Sequence, residues 1–211
     1  MAVFDAELSE RGRGQAELLA RRLRHLPVSA VVSSPLRRAR ETAEAVARET
    51  GVDVEVEAEL EEVRIDDAAR RRRYVDSPAR AMNPSADADY AETALAGVRL
   101  IPHATWTGDG VEAAESLRAR GLAAVERVID RHPHGVVVVV SHGGLINAVI
   151  GAWIGANRDM WFVPWHTGVS AVLCSGRERI LLSLNDAHHL DEGEEMLSLV
   201  CGAVRAGGEE V

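Results

Sequence analysis

The run Val136–Val140 constrains the fold of this chain more than any other feature. Five consecutive valines lie between the turn residues 132–135 and the segment Ser141-His142-Gly143-Gly144. A short, continuous apolar run bounded by turn residues is typical of a strand buried on both faces of a parallel sheet. The run therefore predicts a parallel sheet inside the molecule.

The rest of the chain fits that expectation, with helix and strand patterns in alternation. The predicted elements are helices over Leu8–Leu26, from Ser34-Pro35 to Thr50, over Val111–Arg131 and over Leu145–Ile154, and strands over Ser29–Ser33, Val52–Val56, Val169–Cys174 and Arg179–Leu184. Ser9 and Ser34 are the predicted N-caps and Gly51 a predicted C-cap. The alternation predicts a three-layer α/β sandwich with a mostly parallel sheet.

We predict a single domain over residues 1–201. The chain has 211 residues, 46% of them hydrophobic, which suits one sizeable core. Residues 58–110 are irregular, with an arginine run at 70–73 and a helical pattern around 86–100, and are interpreted as a helical insertion. Residues 202–211 are rich in Gly and Glu and are predicted to form a flexible tail.

Composition excludes several kinds of chemistry. All 24 Lys and Arg residues are arginine, so neither Schiff-base chemistry nor a P-loop lysine is available. The net charge of -9 argues against a nucleic-acid partner. The apolar runs are too short to span a membrane, and no signal-peptide pattern is found. Cys174 and Cys201 are far apart and suggest neither a disulfide framework nor a zinc site. These features predict a cytoplasmic protein without a membrane partner.

His142 and Gly143 follow the valine run, where a parallel sheet collects its ligands. A histidine at that position can hydrogen-bond a phosphoryl oxygen or transfer a proton, and the following helix N-terminus can bind an anion. The alternative is a strand-end histidine that binds only a local carbonyl group.

A second candidate segment covers residues 33–43, where a short strand again leads into a helix with arginines in its first turn. Arg37 can pair with Glu41, and Arg40 with Glu44, at the i,i+4 spacing of helix-surface ion pairs. Arg38 has Thr42 at that spacing, with Glu41 three residues away, and is the arginine that helix-surface pairing explains least. It is well placed to bind an anion beside the N–H groups of the helix.

Together these motifs resemble the histidine phosphatase superfamily, which has the phosphoglycerate mutase-like fold. The segments that carry the resemblance are Leu8-Ser9-Glu10-Arg11-Gly12, Ser34-Pro35-Leu36-Arg37-Arg38-Ala39, Val140-Ser141-His142-Gly143-Gly144 and Asn185-Asp186-Ala187-His188-His189-Leu190. The resemblance implies hydrolysis of small phosphorylated metabolites through a phosphohistidine, with no metal and no cofactor. A phosphoglycerate-mutase type of phosphate transfer shares the same residues and stays open.

The resemblance also implies roles for individual residues. Arg38 would bind the phosphate group, and His142 would stabilise the phosphoryl group during transfer. Glu62 matches the general acid, with Glu61 as the reserve, although a solvated acidic surface would also explain both carboxylates. Glu115-Ser116 resembles a family Gly-Glu-Ser motif, but Ala114 replaces the glycine, and we place it outside the site.

One element of the family pattern is missing. The nucleophilic histidine of the family lies in an Arg-His-Gly motif at the end of a first strand, ahead of the segment that begins here at Leu8. Residues 1–7 contain neither His nor Arg. We interpret the chain as a truncated product or one with a mis-assigned start, in preference to an evolved pseudoenzyme. Without that strand, the backbone of Val136–Val140 would be unpaired on one side.

Two alternative functions remain open. A catalytically inactive relative would still bind phosphate or a phosphorylated metabolite. A metal-dependent hydrolase would recruit Asp186, His188 and His189, although adjacent histidines point apart on a regular element.

Three tryptophans, Trp153, Trp161 and Trp165, are interpreted as core or as a subunit contact, so that a homodimer is one expected assembly.

Overall fold

The computed structural model describes residues 5–66, 109–156, 158–159, 161–162 and 164–190. The described helices are α1 (Glu10–Leu23), α2 (Arg37–Thr50), α3 (Ala114–Arg131) and α4 (Gly143–Ile154), and the strands are β1 (Val28–Ser33), β2 (Val54–Val56), β3 (Val136–Val140), β4 (Val169–Ser175) and β5 (Glu178–Asp186). Short 3-10 turns cover Ala58–Leu60 and His188–Leu190. Most of the predicted insertion, including its arginine run and helix 86–100, lies outside the described residues, as do Cys201 and the predicted tail.

Two sheets form from these strands. β1 is the central strand of a parallel sheet with the order β2-β1-β3, and Ser33 at its end lies opposite both Val56 and Val140. The carboxyl ends of the three parallel strands therefore meet at one edge. β4 and β5 pair antiparallel in a separate two-stranded sheet.

Helices cover both faces of the parallel sheet. Val31 and Val32 are adjacent in β1, so their side chains point to opposite faces, and both are fully buried. Val31 packs with α1 and α2, whereas Val32 packs with α3 and α4. The predicted three-layer α/β fold with a mostly parallel sheet is confirmed.

Close packing of α3 on α4 depends on a glycine. A Cβ atom on Gly121 would lie 2.9 Å from the Cγ2 atom of Val149 and 3.2 Å from the Cγ atom of Leu145. Both neighbours belong to α4, so the absence of a side chain lets the two helices approach each other. This contact fixes the start of α4 relative to α3.

The prediction for α1 is confirmed at its beginning and wrong at its end. The Oγ atom of Ser9 accepts a hydrogen bond from the Gly12 N–H at 3.1 Å, as an N-cap does. The helix ends at Leu23 rather than Leu26. Because Pro27 disfavours the helical conformation of the residue before it, the chain leaves the helix ahead of the proline.

The predicted N-cap of α2 is wrong. The helix begins at Arg37 with Leu36 at the cap position, and the Asp5 carboxylate accepts the Arg37 N–H at 2.6 Å. The Ser34 hydroxyl instead accepts the Leu36 N–H at 3.3 Å and contacts His142. At the other end the C-cap prediction is confirmed, because Gly51 has a φ of 72°, in the left-handed region.

One of the two ion pairs predicted on α2 forms. Arg40 lies 3.7 Å from Glu44 between their Nη2 and Oε1 atoms. The Arg37–Glu41 pair does not form, since Arg37 binds Glu7 with 2.8 Å between Nη2 and Oε2. The preceding segment 5–8 lies against α2 and supplies a nearer carboxylate than the next turn of the helix.

β3 is not buried on both faces, contrary to the prediction. Its residues are half-buried, and Val139 is 36% exposed. Within the described part of the chain β3 pairs only with β1, and β4 pairs only with β5. The predicted strand and its place in a parallel sheet are confirmed, and its predicted burial on both faces is wrong.

α3 begins three residues later than predicted. Val111 forms an antiparallel bridge with Ile65, and the Glu112 N–H donates to the Arg64 carbonyl at 2.8 Å. Residues 111–113 are therefore extended, with Val111 and Glu112 paired to the segment that follows Leu60. No helix in the described ranges is long and apolar enough to cross a membrane.

Candidate active site

The predicted site residues converge at the carboxyl edge of the parallel sheet. His142 follows β3, Arg38 lies in the first turn of α2 after β1, and Glu62 follows the 3-10 turn after β2. The charge of Arg38 acts on both Glu62 and His142, which shows that the three side chains share one electrostatic environment. The order of the strands brings together residues that are up to 104 positions apart.

His142 is buried, and its Nε2 atom lies 2.7 Å from the Oγ atom of Ser34. Ser34 is itself fully buried and accepts a hydrogen bond from Leu36 N–H. If its single hydroxyl proton is directed to Nε2, the other ring nitrogen, Nδ1, carries the imidazole proton and can act as a donor. Burial, together with the positive charges of Arg38 and Arg120, lowers the pKa of His142 to about 3. The ring is therefore neutral at neutral pH.

Arg38 is the arginine that faces the site. It is half-buried, and burial lowers the pKa of its guanidinium while the carboxylates of Glu62 and Asp5 raise it. Its N–H donates to the Ala6 carbonyl at 3.1 Å, so the segment before α1 also contacts this turn. The adjacent Arg37 is exposed and bound to Glu7.

Glu62 occupies the site, and Glu61 does not. The Oε1 and Oε2 atoms of Glu62 lie 3.1 and 3.3 Å from the N–H nitrogen of Gly144. Although the residue as a whole is partly exposed, its carboxyl group is densely surrounded by protein, and this burial raises its pKa. Hydrogen bonds from Val63 and Gly144, and the charge of Arg38, act in the opposite direction. Glu61 instead pairs with Arg64 at 3.2 Å between Oε2 and Nε.

The start of α4 is partly occupied by this carboxylate. Gly143 is the first residue of the helix, and a Cβ atom there would lie 3.3 Å from the ring of Pro164. The next N–H group, that of Gly144, donates to Glu62. The helix N-terminus that the sequence predicts as an anion site is therefore shared with an acidic side chain.

Comparison with known proteins places these features in a family. A sequence profile of the histidine phosphatase superfamily (branch 1) matches residues 3–187. The chain belongs to the histidine phosphatase superfamily. The matched region contains Arg38, Glu62 and His142.

Several relatives in the superfamily are phosphatases. The chain is 30% identical to a glucosyl-3-phosphoglycerate phosphatase of Mycolicibacterium vanbaalenii, over 83% of this chain and 76% of the relative. It is also 30% identical to phosphoserine phosphatase 1 of Hydrogenobacter thermophilus, over 90% and 85%. A mycobacterial glucosyl-3-phosphoglycerate phosphatase solved with VO3 superposes with a TM-score of 0.67 and 27% identity, covering 86% of this chain and 88% of that one.

Three other histidines in the described segments contact partners outside the candidate site. His25 contacts Arg24, and His132 contacts Glu55. His189, a ligand in the alternative metal hypothesis, has its two ring nitrogens 3.2 Å from Arg22 Nη1 and 3.0 Å from the Thr167 hydroxyl. We therefore assign none of these three rings to the nucleophile position.

Sequence reasoning missed a buried ion pair beside the site. Glu112 and Arg120 pair at 2.8 Å between Oε1 and Nε, with only 5% and 9% of their side chains exposed. The two residues are eight positions apart and Glu112 lies outside α3, so they do not have the i,i+3 or i,i+4 spacing of a helix-surface ion pair. One signal was available, because Arg120 lies between Leu117 and Ala124 on the apolar face of α3, where a charged residue is unexpected.

Proposed function

We propose that this site binds the phosphate group of a small phosphorylated metabolite and is built for hydrolysis of phosphomonoesters. The observation that carries the proposal is the convergence of Arg38, His142 and Glu62 at the carboxyl edge of the sheet, where each follows one of the three parallel strands. A cation, a neutral ring donor and a carboxyl group with a raised pKa are the groups that phosphate binding and leaving-group protonation require. The phosphatase relatives support this assignment.

The roles follow from the chemistry of each group. The Arg38 guanidinium binds the phosphate oxygens, and its charge stabilises the negative charge of the transferred group. Neutral His142 donates a hydrogen bond from its protonated ring nitrogen to the same group. Glu62 retains a proton to a higher pH than an ordinary glutamate and donates it to the leaving oxygen. None of these steps uses a metal or a cofactor.

Phosphoryl transfer through a phosphohistidine also needs a nucleophilic histidine, and we propose that residues 1–211 bind phosphate without turnover, because residues 1–7 contain neither the His nor the Arg of the family motif. The two sheets support that proposal, since β3 and β4 each pair on one side only in the described segments. In the described segments no strand pairs with the other side of β3, whose carboxyl end leads to His142. Residues 5–6 contact the start of α2 at that same edge.

Binding is tested by calorimetric titration of inorganic phosphate into the purified chain. Arg38→Ala is expected to weaken binding by about 10- to 100-fold, because a charge-assisted hydrogen bond contributes about 1.5–3 kcal/mol. Arg37→Ala is the matched control, since it removes an adjacent but exposed arginine that binds Glu7. Equal losses in both variants, or no binding by the parent chain, would contradict the proposed site.

Turnover is tested with p-nitrophenyl phosphate in the presence of a chelator. The chain is expected to give no hydrolysis above the rate of a His142→Ala variant. Fusing an apolar strand that ends in Arg-His-Gly ahead of residue 5 should create hydrolysis, and the same fusion ending in Arg-Ala-Gly should not. Chelator-resistant hydrolysis by the unfused chain would overturn the missing-nucleophile proposal while leaving the phosphate site standing.

A further inference from the structure

The buried ion pair Glu112–Arg120 lies directly against the segment that carries Glu62. The guanidinium and the carboxylate form two parallel hydrogen bonds, Nε to Oε1 and Nη2 to Oε2, both 2.8 Å long. This bidentate geometry fixes the orientation of the Arg120 plane. Glu112 in turn accepts the Arg64 N–H at 3.1 Å, so the pair is anchored to the chain just beyond Glu62.

The remaining donors of Arg120 bind main-chain carbonyl groups. Its Nη1 atom donates to the carbonyls of Glu59 and Glu61, and Nη2 donates to that of Glu62, each at 2.8 Å. With the two bonds to Glu112, all five N–H donors of the guanidinium are used. A lysine has three donors on one nitrogen and cannot reproduce this arrangement.

These contacts fix the position of the main chain at Glu62, from which its side chain extends. The segment is also held from the other side, where the Ser141 hydroxyl donates to the Leu60 carbonyl at 2.9 Å. Ser141 immediately precedes His142, so the acid-bearing segment and the histidine-bearing segment are tied together. From this position the Glu62 carboxylate reaches the Gly144 N–H.

Stability alone does not account for such a pair. Replacing a buried ion pair by packed apolar residues is often neutral or stabilising, since both charges must be removed from water. Here the guanidinium donates to three main-chain carbonyl groups of one segment, those of Glu59, Glu61 and Glu62. An apolar pair could not form these bonds. A positioning role accounts for both the charge and the five directed hydrogen bonds.

We propose that Glu112 and Arg120 are positioning residues that hold the main chain of residues 59–62 so that the Glu62 carboxyl group lies at the start of α4, facing Arg38. The inference rests on the proposed acid role of Glu62, because that role is what the position serves. Neither residue is assigned a contact with substrate.

The test follows the Gly144 amide by NMR as a function of pH, since that N–H donates to the Glu62 carboxylate and reports its titration. In the parent chain the Gly144 amide shift should change with a midpoint set by Glu62, and Glu62→Gln should abolish the change. Arg120→Lys keeps the positive charge but removes the planar guanidinium with its five N–H donors. In this variant the pH midpoint of the Gly144 amide shift should move, or the transition should disappear. Glu112→Gln, which keeps the shape but not the charge, should change the same signal.

Arg127→Lys is the matched control, because Arg127 is on the same helix and binds the side chain of Glu57 rather than carbonyl groups. Its Gly144 titration should match that of the parent. Phosphate affinity should change less than about 3-fold in all three variants, because Arg38 and His142 stay in place. A folded Arg120→Lys or Glu112→Gln variant with the parent titration would overturn the proposal. Absence of phosphate binding by the parent would contradict the proposed function without altering this result.

Discussion

At the scale of single residues, His142 couples the site to protein stability. Its pKa is about 3 in the folded protein, against about 6.5 in an unfolded chain. The neutral ring is therefore favoured by folding, and its contribution is fully present above pH 6.5. That contribution is lost as the pH falls from 6.5 towards 3, by about 1.4 kcal/mol per pH unit.

We expect the free energy of unfolding of the parent chain, relative to His142→Gln, to fall with this slope below pH 6.5. Glu62 acts with the opposite sign, because its raised pKa stabilises the fold at low pH, so the difference between variants is the quantity to measure. Denaturant unfolding at several pH values gives that difference. His25→Gln, which alters an exposed histidine, is the control. A parallel pH dependence in the parent and His142→Gln would show that the ring is not held neutral.

The sequence predicted site residues whose role follows from neighbours along the chain, and it missed those whose partners are distant in the sequence. Arg38 was found because its helical neighbours offer no carboxylate at the i+4 position, and the structure brings it to His142 and Glu62. Glu62 could not be separated from Glu61 by residue type, and only the fold shows which carboxylate faces Gly144. Arg120 was missed because its partners are carbonyl groups about 60 positions away.

At the scale of elements, the caps show how far local preferences reach. Ser9 caps α1 through Gly12, so Ser9→Ala should lower the free energy of unfolding by about 1 kcal/mol, whereas Ser9→Asp should retain most of the stability. Thermal or denaturant unfolding checks both variants. Equal losses in the two variants would mean that the hydroxyl is not the relevant cap.

Ser34 follows the same sequence rule and does not become a cap. Its hydroxyl lies within 2.7 Å of His142 Nε2, and the capping of Arg37 N–H is left to Asp5. A tertiary contact from a residue 108 positions away therefore overrides the local preference. The helices and strands predicted within the described segments all form, and their ends differ from the prediction where long-range partners intervene.

At the scale of the whole molecule, β3 is an edge strand of the described parallel sheet and leads directly into the site. β1 is paired on both sides, but β3 is paired with β1 alone in the described part of the chain. Alternate amides along β3 should therefore exchange with solvent much faster than those of β1, and hydrogen exchange followed by NMR measures this directly. Uniform protection along Val136–Val140 would contradict an open edge. The valine run alone could not reveal that edge, because periodicity reports burial and not which strands are neighbours. The unpaired side was expected only from the Arg-His-Gly segment that the family pattern places ahead of Leu8.

The central claim is that Arg38 and His142 form the phosphate site, and the position of a bound anion tests it most directly. A crystal structure of the chain soaked with inorganic phosphate should show the anion within hydrogen-bond distance of the Arg38 guanidinium and a ring nitrogen of His142, with the Glu62 carboxyl group beside it. Phosphate bound elsewhere, with Arg38 and His142 in contact only with protein or water, would contradict the claim.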